Sequence, residues 1–97
     1  MKLNLHKKAV KEITELKPEH QQYIWEKLQE LKKEPNSHEN TGTIQVQGRT
    51  VFKYVMKGEI GGKDYRAVYD IENSRIRIFA VFHRDQGYDK DKIARRF

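Results

Sequence analysis

Two stretches of alternating apolar residues, Tyr65–Ile71 and Arg75–His83, are separated by only Glu72-Asn73-Ser74. A period of two places every second side chain on one face of a sheet, so this segment reads as a tight antiparallel hairpin. Such a hairpin has an apolar face that the rest of the chain must cover. Three cationic or titratable residues break the apolar pattern: Arg66 near the start of the first strand, and His83-Arg84 at the end of the second. In a hairpin the start of one strand lies beside the end of the other. Arg66 and the His83-Arg84 pair are therefore expected as neighbours, with Tyr88 a short step beyond. Two guanidiniums, an imidazole and a phenol at one sheet end suit a phosphate, which arginine can grip with two N–H groups at once.

The cover comes from the N-terminal half. Lys2–Leu5 alternates as a short strand, and from Lys7 the spacing becomes helical, with Ala9, Val10, Ile13 and Leu16 on one stripe. His6 lies where the N-cap belongs but is a poor cap, and Asn4 is an alternative. Lys17-Pro18 divides this helix from a second, Pro18–Glu34, whose stripe is Ile24, Leu28 and Leu31 with Tyr23 and Trp25 beside it. Pro35 with Asn36-Ser37 ends it, and Asn36–Thr43 reads as loop. Ile44–Gln47 is a short strand or an extended approach, and Thr50–Lys57 a clear strand. Gly58–Asp64, with three glycines, reads as a flexible connection, and Tyr88–Phe97 as a short helix or a basic tail. The expected fold is α+β: a helical hairpin packed on one face of a small, mainly antiparallel sheet of three to four strands.

Ninety-seven residues hold one domain, residues 1–97, with one modest core. Ten aromatics supply core material to a chain that is 35% charged. No apolar run reaches the roughly 20 residues that cross a bilayer, and the basic N-terminus lacks the apolar stretch of a signal peptide. A cytoplasmic protein without a membrane partner is expected. Without cysteine there is no disulfide or thiolate chemistry. The net charge of +6 is uneven: residues 1–43 carry +1 and residues 44–97 carry +5. A basic sheet beside a near-neutral helical layer favours a polyanion, nucleic acid being the usual one, although charge of this size also serves solubility alone.

Lys53 and Lys57 on the first long strand, Arg66 on the next, and His83, Arg84 and Tyr88 at the end of the third are expected to line one basic groove. RNA would bring its own nucleophile to such a groove, the 2′-OH. Its cleavage needs alignment, positive charge near the developing charge, and proton transfer, and no metal or other cofactor. His83 titrates in the useful range. Taken singly, strand lysines on an open face are ordinarily solvated. Arg75 and Arg77 read as solvated or as partner contacts, and Tyr65, Tyr69, Phe79 and Phe82 as core. His6, His20 and His38 lack metal-ligand spacing and read as surface residues.

The order of elements resembles the RelE/ParE superfamily of toxins from type II toxin–antitoxin systems. The residues that carry the resemblance are Tyr65-Arg66-Ala67-Val68-Tyr69-Asp70-Ile71, Val81-Phe82-His83-Arg84 with Tyr88, and the helix exit Lys32–Asn36 (KKEPN). RelE-like members cut mRNA in the ribosomal A site without metal and are neutralised by a cognate antitoxin. By position, the resemblance implies that Arg66 and Arg84 hold the phosphate. It makes Lys53 a catalytic lysine, His83 a basic group of the site, and Tyr88 an aromatic against a base, with Lys57 assisting RNA binding. The chain departs from the pattern at Val55, where RelE-like enzymes often carry a second lysine, and at Phe82, where many relatives have glycine. The connection Gly58–Asp64 is also long. A ParE-like gyrase inhibitor without nuclease chemistry, or a non-catalytic RNA- or ribosome-binding relative, are the alternatives.

Overall fold

In the computed structural model, residues 2–33, 40–60, 63–83, 86 and 89–97 are described. Strand β1 (Lys2–Leu5) leads directly into helix α1 (Lys7–Thr14). His6 is the hinge between them. Its N–H donates to the Ile78 carbonyl at 2.9 Å, and its Nδ1 accepts from Lys8 N–H at 3.1 Å, so it closes the strand ladder and caps the helix. The cap is therefore His6 and not Asn4. Accepting a bond at Nδ1 requires the neutral ring, and burial followed by nearby Arg96 and the lysines lowers the His6 pKa.

Along α1, Ala9 and Ile13 are fully buried, whereas Val10 is 38% exposed, so the buried stripe is narrower than the sequence suggests. Gln21 Nε2 donates to the carbonyls of Thr14 and Leu16, which satisfies acceptors that the end of α1 leaves open. Helix α2 (Pro18–Lys33) buries His20, Ile24, Leu28 and Leu31 at helical spacing. His20 is thus an interior residue rather than a surface one.

The remaining strands are β2 (Thr41–Val46), β3 (Arg49–Ile60), β4 (Lys63–Glu72) and β5 (Arg75–His83), followed by helix α3 (Lys90–Ala94). They form one sheet of five strands in the order β1-β5-β4-β3-β2, one or two strands more than expected. All neighbours are antiparallel except β1 and β5, which run parallel with Leu3 beside Ile76 and Leu5 beside Ile78. The short strand read at Ile44–Gln47 forms as β2, which begins earlier, at Thr41, and ends at Val46, so Thr41–Thr43 pair with β3 instead of forming loop. Residues 58–60 and 63–64 likewise continue β3 and β4 up to the Ile60–Lys63 pair, past a register shift after Met56. Two hairpins close through residues with positive φ, Gln47-Gly48 and Asn73-Ser74, as two-residue turns of the primed kind require.

A bulge in β5 decides which residues share a face. Val68 pairs with Ala80 but Tyr69 pairs with Ile78, so Phe79 is an extra residue. Before it, Ile76 and Ile78 face the helices. After it, Val81 does so, although plain alternation would turn it away. The helix-side core joins these to Ala9, Ile13, Ile24, Leu28 and Leu31 from above, with Tyr54, Met56, Tyr65, Ala67 and Tyr69 from the sheet.

The other face is not left open. Ile93 of α3 is buried against Val46, Val51, Val68, Phe79 and Ala80, so a second, smaller core covers part of it. Where β1 ends, the exposed edge of β5 is closed by side chains. Glu12 accepts from Val81 N–H at 3.1 Å, and Arg96 donates to the Phe79 carbonyl at 2.9 Å. The two side chains also pair with each other at 2.8 Å and 3.1 Å, joining α1 to the C-terminal segment. No helix among the described residues is long and apolar enough to cross a membrane.

Candidate functional site

Two rows of residues cross the second face, the first ending under Ile93 of α3. In one, Lys53 of β3 stands between Gly42 of β2 and Val68 of β4, and Val68 pairs in turn with Ala80. In the next, Arg66 of β4 stands between Val55 and Phe82. Lys53 and Arg66 are therefore diagonal neighbours on adjacent strands, with backbones about 7–8 Å apart. The sheet brings these two cations to one face and one end.

The setting of Arg66 is unusual for an arginine. Its flanks in the row are the side chains of Val55 and Phe82, and the side chain is 24% exposed. Its Nη2 lies 4.0 Å from Asp64 Oδ2, at the limit of an ion pair. Its Nε is buried and makes no hydrogen bond. A buried donor without an acceptor costs about 1–3 kcal/mol. Arg96 Nε is buried and unbonded in the same way within the fold's own network, so the unbonded N–H of Arg66 marks a place that can accept an anion without by itself marking a site.

The opposite end of this face is neutralised from within. Asp70, 7% exposed, receives Arg77 Nε at 2.7 Å and a second bond from Arg77, and Arg49 bonds the same carboxylate. Arg77 also meets Glu72 at 2.7 Å, and the hydrogen bond to Asp70 raises the Arg77 pKa. Arg77 is thus committed to an internal network instead of being solvated. Arg49 lies over the Phe97 ring at 4.5 Å, and Phe97 packs edge-on against Phe79. Lys2 and Arg75 are exposed cations at that opposite end, so what sets the Lys53–Arg66 end apart is the largely buried Arg66.

His83 reaches the Lys53–Arg66 end of the sheet but on the opposite face. It pairs with Tyr65, on the helix side of the sheet, with ring centroids 5.8 Å apart at 74°. The Tyr65 hydroxyl is 2.9 Å from His20 Nδ1, and burial raises the Tyr65 pKa so that the phenol keeps its proton. His83 N–H donates to Gln86 Oε1 at 2.7 Å. The residue therefore belongs to an aromatic cluster beside a cavity of 340 Å³ lined by Glu12, Glu15, Leu16 and Val81 among others. The Phe79 bulge is the cause: without it, Arg77, Phe79, Val81 and His83 would share the face of Arg66.

Lys57 lies in β3 within the irregular stretch between Met56 and Ile60, and its side chain is outside the described residues. Arg84 and Tyr88 lie outside them altogether. Two neighbours of the cations escaped sequence reasoning. The sequence places Asp64 in the glycine-rich connection and Gly42 in a loop. Three of the four residues Thr41-Gly42-Thr43-Ile44 are β-branched, and that is the signal that marks the strand. Among the described residues no three His, Asp or Glu side chains converge as a metal site needs.

Comparison with known proteins fits this architecture. Residues 3–88 match a family model described as the ParE toxin of a type II toxin–antitoxin system, parDE. No curated protein matches the chain. Among solved structures, the free state of the E. coli toxin RelE, in a variant with two arginines replaced by alanine, superposes with a TM-score of 0.69. The match covers 99% of this chain and 96% of that one at 17% identity. An archaeal RelE–RelB complex from Pyrococcus horikoshii gives a TM-score of 0.66 at 21% identity, covering 89% of this chain and 97% of that one. At these identities the two structures speak to the fold.

Proposed function

Because the chain belongs to the ParE toxin family of type II toxin–antitoxin systems, within the RelE/ParE superfamily, we propose that it is a toxin of the RelE kind. In this reading it is a ribosome-dependent mRNA endonuclease that stops translation, held in check by a cognate antitoxin. A structural relative is a RelE–RelB complex, which supports the antitoxin partner. The observation that carries the nuclease reading is the diagonal placement of Lys53 and Arg66 on one face, with the Nε of Arg66 buried and unbonded.

The chemistry follows from that placement. The 2′-oxygen of a nucleotide bonds to the adjacent phosphorus while the bond to the 5′-oxygen breaks, leaving a 2′,3′-cyclic phosphate and a 5′-hydroxyl. One proton leaves the 2′-OH and another reaches the 5′-oxygen. Arg66, with Arg84 from just beyond β5, holds the non-bridging oxygens and offsets the charge that builds on them. Lys53 places its ammonium beside them as a compact charge. Tyr88 supports a neighbouring base by stacking, and Lys57 contacts the RNA backbone. His83, which faces Tyr65, orders the end of β5 rather than moving a proton. Catalysis then rests on positioning and charge more than on a matched acid and base.

The test is to add the purified chain to a translation reaction and map mRNA 5′ ends. Cuts at ribosome-occupied codons support the reading, and normal translation of intact mRNA overturns it. Growth arrest that persists with intact mRNA, and with unchanged strength in Arg84→Ala and Tyr88→Phe, points instead to a gyrase target.

A further inference from the structure

Gly42 has no conformational reason to be glycine. It sits inside β2 with an ordinary backbone angle, where glycine weakens a strand by roughly 0.5–1 kcal/mol relative to alanine. Within strands, glycine often marks a place where another group must pass close to the backbone. Here that group is Lys53. A Cβ on Gly42 would lie 3.1 Å from Lys53 Cε and 3.8 Å from its Cγ, the first well inside ordinary contact. The Lys53 stem therefore runs flat across β2 instead of standing off the sheet. The lean is away from β4 and Arg66, since β2 and β4 flank β3 on opposite sides. Two cations on adjacent strands repel, and the lean separates them.

We propose that Gly42 is a positioning residue: its missing side chain fixes where the Lys53 ammonium sits. Cε is one bond from Nζ, so displacing Cε displaces the charge. In the nuclease reading, on which the functional consequence rests, the space between Lys53 and Arg66 takes the scissile phosphate. Gly42 then sets the width of that space. Thr41 and Thr43 show that β2 otherwise carries β-branched residues, so alanine or valine at position 42 suits the strand.

The experiment compares the wild type with Gly42→Ala and Gly42→Val. Lysines are reductively methylated with ¹³C, and the Lys53 signal is identified by its loss in Lys53→Arg. Cleavage is measured in parallel, and Gly42→Ala is repeated in a Lys53→Ala background. The expected result is a displaced Lys53 signal, with a fall in the cleavage rate at saturating substrate of a few-fold in Gly42→Ala and about tenfold in Gly42→Val, and little change in KM, since a shift of a few tenths of an ångström relieves the contact with alanine. In the Lys53→Ala background Gly42→Ala should have no further effect, which a purely structural role would not produce. An unmoved Lys53 signal overturns the proposal. So does a full Gly42→Ala defect that survives removal of Lys53, or a displaced signal with unchanged cleavage. If the wild type itself does not cut RNA, the nuclease reading falls alone, and the Lys53 signal still decides whether Gly42 places the ammonium.

Discussion

Replacing Arg66 by methionine should make the chain more stable and less active at once. Methionine keeps the unbranched stem that packs between Val55 and Phe82 and deletes the guanidinium. What is lost from the fold is one distant pair with Asp64 at 4.0 Å, and contacts of that kind contribute about 0–1 kcal/mol. What is gained is relief from a buried, unbonded Nε, which costs about 1–3 kcal/mol. The balance is a stabilisation of about 1 kcal/mol. With a urea dependence of about 1–3 kcal/mol per molar, the unfolding midpoint should rise by about 0.3–1 M at unchanged slope. Removing a preorganised donor to a developing anion typically lowers the rate by about 10²–10³-fold, so cleavage and growth arrest should both fall steeply. The two readings need the same variant and independent assays. A midpoint that falls by more than the equivalent of about 1 kcal/mol would place Arg66 among the structural residues. Full activity in Arg66→Met would remove it from the phosphate site.

Three further outcomes are expected. Ser74→Gly should stabilise the fold by about 0.5–1 kcal/mol in denaturant titration without altering activity, because Ser74 is held at a φ of 62° where glycine is unstrained. Stability should decline as pH falls below the ordinary histidine range: His6 is neutral in the fold with its pKa lowered, so the unfolded chain binds the proton more readily. His6→Asn, which caps without titrating, should flatten that part of a melting-temperature profile. Glu12→Ala should cost about 2–3 kcal/mol, since it leaves Arg96 and the Val81 N–H without their carboxylate. Adding Arg96→Ala should cost less than the two single changes summed.

The hairpin, the two N-terminal helices and most of the core were legible in the sequence because each rests on local periodicity. What was not legible is the parity of β5. Phe79-Ala80-Val81-Phe82 is a continuous apolar run, so nothing in it marks which residue is the extra one. The bulge is set by pairing with β4, and it carries His83 from the face of Arg66 to the face of Tyr65. His20 was misread for a related reason. A histidine among glutamines reads as surface, and only the Tyr65 hydroxyl, 45 positions later, makes its burial affordable. Asp70 and its two arginines are likewise separated in sequence, so a charge balance counted along the chain could not say which cations are spent internally. Lys53 and Arg66 were readable as neighbours because β3 and β4 pair with simple alternation through that stretch.

The claim that Lys53 and Arg66 together hold a phosphate under attack is tested most directly by the chemistry of the RNA ends. A defined mRNA on stalled ribosomes is treated with the wild type, Lys53→Met and Arg66→Met, and the fragments are assayed for a 2′,3′-cyclic phosphate and a 5′-hydroxyl. Both ends are expected from the wild type, with a loss of about 10²-fold or more in their yield from each variant. Translation arrested by wild-type chain on uncut mRNA, or the same ends at the same yield from both variants, would contradict it.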